Sequence, residues 1–342
     1  MDKRVTMKDI SEKLELSINA VSLALNNKPG VSEDTRRNIL KVADELGYFE
    51  KKTKYINTFA CRNISLLMEQ RFFHDPYFYS KVIKGIEEEA KKNKYDVIVS
   101  FIDTKSYSAP NSLENKKVCG VIALGVISDD YILSLKKYGL PIVLVDNTCF
   151  CESMDSVLTD NKIGMYKATK YLIDKGKTKI GFFGDLNYSL SIKERYFGFE
   201  QAIKKYLLQD ELNFEKYKNR FSVLSNIEKY VIKNDIKVVI DIVKEIKEMP
   251  EAFVCSNDSV AIMLMNALNI LGYKVPDDIS ILGFDDNVLS GLVKPELTTV
   301  RVNKELMGRK AVQRLLWRIN NKKEPIEHMV IGVELIERNS VK

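Results

Sequence analysis

Asp146, Asn257 and Asp285 each stand just beyond an apolar run, at residues 142–145, 254–255 and 281–284. Arg195 lies in the stretch SIKERYFGF, with Ser191 four residues before it at the stretch's start. Carboxylates accept hydroxyl hydrogens and a guanidinium forks onto two oxygens, so this set suits a polyol. The carboxyl ends of strands are where open α/β sheets hold ligands, and in two-lobed proteins that place lies between the lobes. Two other assignments stay open. Asp285 and Arg195 can form an interlobe ion pair, and Asn257 can cap the helix after it, since Ser-Asn-Asp opens helices well.

A second chemistry sits near the amino end. Ile18, Asn19, Ser22 and Leu23 fall at the start and outer face of a short helix. Asn pairs bidentately with adenine, and Ile or Leu presses on thymine methyls. Thr6 and Asp9 form a capping box before Met7, Ile10 and Leu14, which share one helical face. After a break at Glu15 and Leu16, Ser17 caps a second helix with Val21, Ala24 and Leu25 inward and Asn19, Ala20, Ser22 and Leu23 more exposed. Asn26-Asn27-Lys28-Pro29-Gly30 ends it, and Ser32 caps a third helix that stops at Gly47. Two short helices at a sharp turn, the second opening on small polar residues, make a helix-turn-helix. Asn26, Lys28, Ser32, Thr35 and Arg36 read as phosphate or turn residues. Thr6, Ser17 and Ala20 lie at helix starts, whose free amides suit phosphate.

The elements that must hold the first set follow from about residue 63. Apolar runs at 64–68, 97–102, 118–124 and 141–145 alternate with helices at 77–92 and 130–138. A second cycle has helices at 161–175, 194–208, 226–248 (interrupted) and 259–271, and strands at 179–184, 252–255 and 279–284. A helix at 304–319 and two short strands to about 336 close the chain. Such alternation predicts doubly wound parallel sheets.

With 342 residues, the chain has room for two or three domains; it is 45% hydrophobic and 29% charged, as soluble proteins are. The apolar run at 118–127 is too short to span a bilayer, and no apolar signal core precedes the first helix, so a cytoplasmic location is expected. Net charge is +6, with an excess of three positive charges in residues 1–62, which fits phosphate contact by a small headpiece. The five Cys form no CxxC pair; Cys119, Cys149 and Cys255 read as buried thiols. No Gly-rich phosphate loop, metal cluster or nucleophile–base pair stands out, so the chain reads as a non-enzyme without a cofactor.

Residues 6–48 resemble the headpiece of the LacI/GalR family of bacterial transcription repressors. The matching positions are Val21 and Ser22, then Ala24, Leu25 and Asn26, Val31 and Ser32, Thr35 and Arg36, and Leu46, Gly47 and Tyr48. The two similar halves beyond resemble the periplasmic sugar-binding fold of that family's regulatory core, so the likeness covers nearly the whole chain. It implies an all-α headpiece at 1–48, a hinge at 49–62 and an α/β effector-binding and dimerisation core at 63–342. The first lobe is expected at about 63–159 and 291–320, the second at about 160–290 and 321–342. By resemblance, Asp146, Ser191, Arg195, Asn257 and Asp285 contact a sugar or another small effector. Phe73 or Tyr77 of RFFHDPYFYS suits stacking on a sugar face, although core packing or hinge anchoring serves as well. Helices at 83–90 and 309–319 are expected to pair across a homodimer.

The resemblance further implies a repressor on a pseudo-palindromic duplex operator, controlled by a sugar-type effector between the lobes. This chain departs from the family in four places. Ile18, Asn19 and Leu23 replace the usual aromatic, Gln or Met, and Arg, which removes the common guanine contact. In the linker, Lys51 serves a basic tether and Ile56 is the nearest apolar candidate for a minor-groove wedge. The segment after Asp103 is short, and residues 210–229 lack the family's acidic and aromatic pattern.

Overall fold

The structure, a computed structural model, describes residues 5–25, 30–46, 48, 61–70, 77–102, 108–208 and 212–342. The chain divides into two compact units, residues 1–61 and residues 62–342. Among the described residues no helix is long and apolar enough to cross a membrane.

The first unit holds α1 (Met7–Leu14), α2 (Ile18–Leu25) and α3 (Glu33–Glu45). Thr6 opens α1 with a reciprocal box: its hydroxyl accepts from the Asp9 amide at 3.3 Å while Asp9 Oδ2 accepts from the Thr6 amide at 2.6 Å. Glu15, at φ 53°, turns the chain out of α1. Ser17 Oγ accepts from the Ala20 amide at 3.1 Å to start α2, and Ser32 Oγ accepts from the Thr35 amide at 3.2 Å to start α3. Ile10, Val21, Ala24, Ile39, Val42 and Ala43 meet in the core, so the helices are fixed by packing rather than by their short lengths.

In the second unit the first lobe carries β1 (Asn63–Glu69), α4 (Tyr79–Lys92), β2 (Asp96–Ile102), α5 (Asn111–Glu114), β3 (Gly120–Leu124), α6 (Asp129–Ser134), β4 (Ile142–Val145) and β5 (Asp155–Thr159). The second lobe follows with α7 (Asn161–Asp174), β6 (Ile180–Gly184), α8 (Leu190–Tyr206), α9 (Leu212–Phe221), β7 (Val223–Leu224), α10 (Ile227–Ile232), α11 (Ile236–Lys244), β8 (Ala252–Cys255), α12 (Asp258–Ile270), β9 (Ser280–Leu282) and β10 (Thr299–Arg301). The chain then returns through α13 (Lys304–Asn320), β11 (His328–Ile331) and β12 (Glu334–Ile336).

The first lobe's sheet runs β11-β5-β4-β3-β1-β2 and the second lobe's β7-β6-β8-β9, with every paired neighbour parallel. Their central strands are buried on two faces, which accounts for the near-continuous apolar runs of β3, β4, β6 and β8, while the edge strands β2, β7 and β11 are partly exposed. Two lobe boundaries differ from the expectation. His328–Ile331 pairs with β5 in the first lobe's sheet, whereas the resemblance implies the second lobe for 321–342. Residues 291–301, expected in the first lobe, join the second: Leu297 lies in its core, Thr298 bridges Leu282, and β10 pairs antiparallel with β12. The chain therefore crosses between lobes at residue 160, at 302–303 and at 332–333.

Helices α4 and α13 pack on the same side of the first sheet, with Val82, Ile86, Met307, Ala311, Val312 and Leu315 in one core. Their backbones meet at Gly85 and Gly308. A Cβ on Gly308 would stand 2.1 Å from the Val82 carbonyl oxygen, and one on Gly85 2.1 Å from that of Glu305. Lys84 and Glu305 pair at 3.0 Å beside the crossing. The helices expected to pair across a dimer thus pack first on each other within one chain. Buried Asp155 ties β5 to α13, accepting from Arg314 Nε at 2.9 Å and Arg318 Nε at 2.6 Å. Burial alone would raise its pKa, but these hydrogen bonds hold it below the usual carboxylate value. Cys149 and Cys255 are buried as expected, whereas Cys119 is half-buried and points its thiol at the Asn63 carbonyl.

Candidate functional site

Between the lobes lies a cavity of about 400 Å3, lined by the carboxyl ends of β4, β8 and β9 and by the first turns of α4, α8 and α12. Asp146 leaves β4 at φ 54°, and Asp285 and Asp286 follow β9 at φ 115° and 50°. Non-glycine residues in this region cost on the order of 1–3 kcal/mol each and persist where the surroundings over-determine them. Here both strand-end acids that line the cavity adopt it.

Asp146 is bound from both lobes. Tyr79 on α4 donates its hydroxyl to Oδ2 at 3.1 Å, and Ser191 on α8 donates to Oδ1 at 2.7 Å. Ser189 caps α8 through the Ile192 amide at 3.3 Å, so this helix begins at Leu190, earlier than the expected residue 194. Ser191 and Arg195 therefore lie one turn apart on the same helix face.

Arg195, 4% exposed, uses all three of its nitrogens. Nε donates to Asn161 Oδ1 at 2.9 Å, Nη1 to the Ser256 carbonyl at 2.7 Å and Nη2 to Asp285 Oδ1 at 3.1 Å. Its plane lies 4.0 Å over the Phe284 ring. The Arg195–Asp285 ion pair is real but lies within the second lobe, since α8 and β9 both belong there. Asn257 Oδ1 caps α12, accepting from the Val260 amide at 2.9 Å, while the residue also lines the cavity. The two readings of Asn257 thus coexist.

Beneath these groups lie two acids that the sequence pattern did not mark. Glu228 on α10 lines the cavity and accepts from Ser256 Oγ at 2.5 Å and the Asp185 amide at 2.8 Å. Burial lifts its carboxyl to a pKa of about 7, against a smaller opposing pull from the Ser256 hydrogen bond. Asp258 is fully buried and accepts from Thr299 Oγ1 at 2.5 Å, Ser290 Oγ at 2.6 Å and the Asn287 amide at 2.7 Å. Burial raises it to about 6. Asn161 joins Arg195 to Glu194, donating to Glu194 Oε2 at 2.9 Å. Nothing in the residue types of 226–232 separates Glu228 from surface acids; only the fold turns it inward. Of the aromatic stretch, Tyr77, Phe78 and Tyr79 line the cavity, while Phe73 lies outside the described residues.

In the headpiece, Ile18 is 49% exposed and Asn19 is exposed beside it. Ala20, Ser22 and Leu23 are half-buried, with Leu23 leaning toward Gly30. Thr6, Ser17, Ser32 and Thr35 sit at the helix starts as caps or partners of caps. Of its phosphate and turn readings, Arg36 fits the turn by its contacts. It is 9% exposed, and its Nη1 donates to the Leu23 and Ala24 carbonyls at 3.3 and 3.2 Å, closing the end of α2. Asn26, Lys28, Lys51 and Ile56 lie outside the described residues.

A headpiece with three helices among its described residues, followed by a two-lobed, doubly wound core with an interlobe cavity, is the architecture of a class of DNA-binding regulators, and the comparisons place the chain there. Residues 6–50 match the bacterial regulatory proteins of the lacI family, and residues 169–341 match the periplasmic binding protein-like domain. The chain belongs to the lacI family and is a DNA-binding transcriptional regulator. It is 30% identical over 345 residues to the HTH-type transcriptional regulator GalR of Streptococcus thermophilus, covering 98% of this chain and 99% of that one. It is 29% identical over 343 residues to the HTH-type transcriptional repressor PurR of Vibrio vulnificus, covering 98% of each. Among solved structures, the lac repressor dimer bound to operator and an anti-inducer superposes with a TM-score of 0.68 at 21% identity, over 99% of each chain. A CelR–cellobiose complex gives 0.68 at 22% identity, over 98% of this chain and 100% of that one.

Proposed function

We propose that the protein is a homodimeric repressor that reads a pseudo-palindromic operator and releases or tightens on it when a small polyhydroxylated effector fills the interlobe cavity. The observation that carries this reading is the Asp146–Ser191 and Arg195–Asp285 pair of contacts, which concentrates hydroxyl-binding groups in one cavity built by both lobes. In this reading Asp146 and Asp285 accept effector hydroxyls, Arg195 and Asn257 donate to its oxygens, and Tyr77 or Phe78 covers a ring face. Solved neighbours of the same fold with cellobiose or ribose bound support a saccharide of this kind.

On the DNA side, Ile18 and Asn19 meet base edges, with Ser22 and Leu23 beside them. The helix starts capped by Thr6, Ser17 and Ser32 turn free amides toward phosphates, with Ala20 and Thr35 alongside. Lys28 and Lys51 add sequence-independent charge contacts. Asn26 adds a further candidate for phosphate contact, and Ile56 is the apolar candidate for a minor-groove wedge.

Selection of duplexes from a random pool with the full chain tests the first half of the proposal. A two-fold symmetric consensus is expected; enrichment of no sequence would overturn it. Thermal shift with D-galactose, D-glucose, D-ribose and cellobiose tests the second half. A saccharide that stabilises the wild-type protein but not the Asp146→Asn variant is expected. Equal shifts in both proteins would remove the cavity from the account.

A further inference from the structure

Lys304, the first residue of α13, is 3% exposed and carries a charge that burial disfavours. Its ammonium donates to the carbonyl oxygens of Asp285 and Asp286, the latter at 3.4 Å, and lies 5.8 Å over the Phe78 ring. The ammonium and the ring belong to the first lobe, the two carbonyls to the second. The carbonyls come from successive non-glycine residues with positive φ, which places both on one cation. Around them the turn is clamped on its other side. Asp286 takes Arg338 Nη2 at 2.6 Å and Arg301 Nε at 2.7 Å, and the Asp285 amide donates to the Val300 carbonyl at 2.7 Å.

We infer that Lys304 is a positioning residue: it fixes the 285–286 turn, and so the aim of the Asp285 carboxylate into the cavity, and transmits any displacement of that turn to α13. The second part of this inference rests on the effector reading above; the first does not. Helix α13 can carry such a displacement because its backbone touches α4 at Gly308 and Gly85, where no side chain cushions the contact. A push on Lys304 therefore moves two helices together. Neutral polar side chains at this place would leave the carbonyls with weaker partners, and an apolar one would leave them with none from α13.

Hydrogen–deuterium exchange on the full chain tests this without knowledge of the effector, using Lys304→Met and Lys304→Arg. Met keeps the stem and removes the charge; Arg keeps the charge and the donors. In Lys304→Met, exchange should accelerate by about tenfold or more at residues 284–287 and 302–308 together, as expected for loss of a charge-assisted hydrogen bond. The strand β8 should be unaffected, and Lys304→Arg should restore slow exchange. Unchanged exchange at 284–287 in Lys304→Met, with or without fraying of α13, would overturn the assignment. Acceleration spread evenly over both lobes would overturn it too, since that is the mark of a general loss of stability.

A second arm separates this inference from the effector reading. Any saccharide of the panel that stabilises the wild-type protein should bind Lys304→Met at least about tenfold more weakly. Equal affinity would refute the link to the cavity. If no saccharide stabilises the wild-type protein, the effector reading fails for these sugars, while the exchange result still decides whether Lys304 holds the turn.

Discussion

Ser191 and Asp146 meet across the cleft, hydroxyl to carboxylate, at 2.7 Å, and they come from different lobes. Asp146 ends a strand of the first sheet, whereas Ser191 sits in the first turn of α8 on the second. One turn further along α8, Arg195 grips Asp285. A single helix thus carries both the contact that spans the lobes and the one that orders the cavity wall.

Arg195→Lys is expected to abolish the effector response while operator binding persists. Lysine keeps the charge but cannot serve Asn161, Ser256 and Asp285 at once in the planar arrangement arginine uses. Losing one or two hydrogen bonds to charged groups weakens effector binding by about tenfold to a thousandfold. Calorimetric titration of wild type and variant measures this; equal affinities would show that the fork is not needed.

Stability should fall as pH rises toward neutrality. The buried Glu228 carboxyl has its pKa raised from 4.5 to about 7, so the folded protein keeps a proton that the unfolded chain releases across that window. The associated stability is present below about pH 4.5 and is lost as pH climbs through 7, to a total on the order of 3 kcal/mol. Asp258, raised from 3.8 to about 6, acts with the same sign. Urea unfolding of Glu228→Gln between about pH 5 and 8 should give a flatter profile than wild type, with the Asp258 share remaining. Parallel profiles would mean that Glu228 is ionised throughout.

Gly308→Ala should destabilise the core despite alanine's better helix propensity. The added methyl would stand 2.1 Å from the Val82 carbonyl oxygen, so α4 and α13 must separate. Overpacking of this kind costs about 1–3 kcal/mol. Urea unfolding with an unchanged m-value would register it, and a neutral or stabilising result would show that the helices part easily.

Asn19→Ala should change which bases are selected at one position of each half-site, whereas Lys51→Ala should weaken every site alike. Asn19 is exposed on α2 and suited to adenine, and a lysine on a phosphate carries no sequence information. The salt slope should fall by about one in Lys51→Ala and stay constant in Asn19→Ala. An unchanged consensus for Asn19→Ala would remove that residue from base reading.

The strands buried on both faces were legible as apolar runs, and the headpiece as three caps with an apolar period. Strand β5 was not, because Asp155, Ser156 and Thr159 are buried polar residues satisfied by distant partners: Arg314 and Arg318, His328, and Met307. Helix α9 is hidden in the sequence because Lys and Asn mask the apolar face formed by Phe214, Tyr217 and Phe221. Arg36 shows the limit for charges. Its type and place suit either a phosphate or the turn, and two carbonyls at the end of α2 draw it inward. Strand-end position was enough to find Asp146, Asn257 and Asp285, since topology alone puts them at the cleft. Glu228 needed the fold, because an acid on a short polar helix carries no sign of which way it faces.

The coupling of cavity to DNA is tested most directly by equilibrium titration of the full chain on its best selected duplex, with and without a saccharide that thermal shift shows to bind. Such coupling is typically about 1–3 kcal/mol, so operator affinity should change by roughly five- to 150-fold, and the duplex should change saccharide affinity by the same factor. Identical operator affinity with and without bound saccharide would contradict control of DNA binding through the cleft.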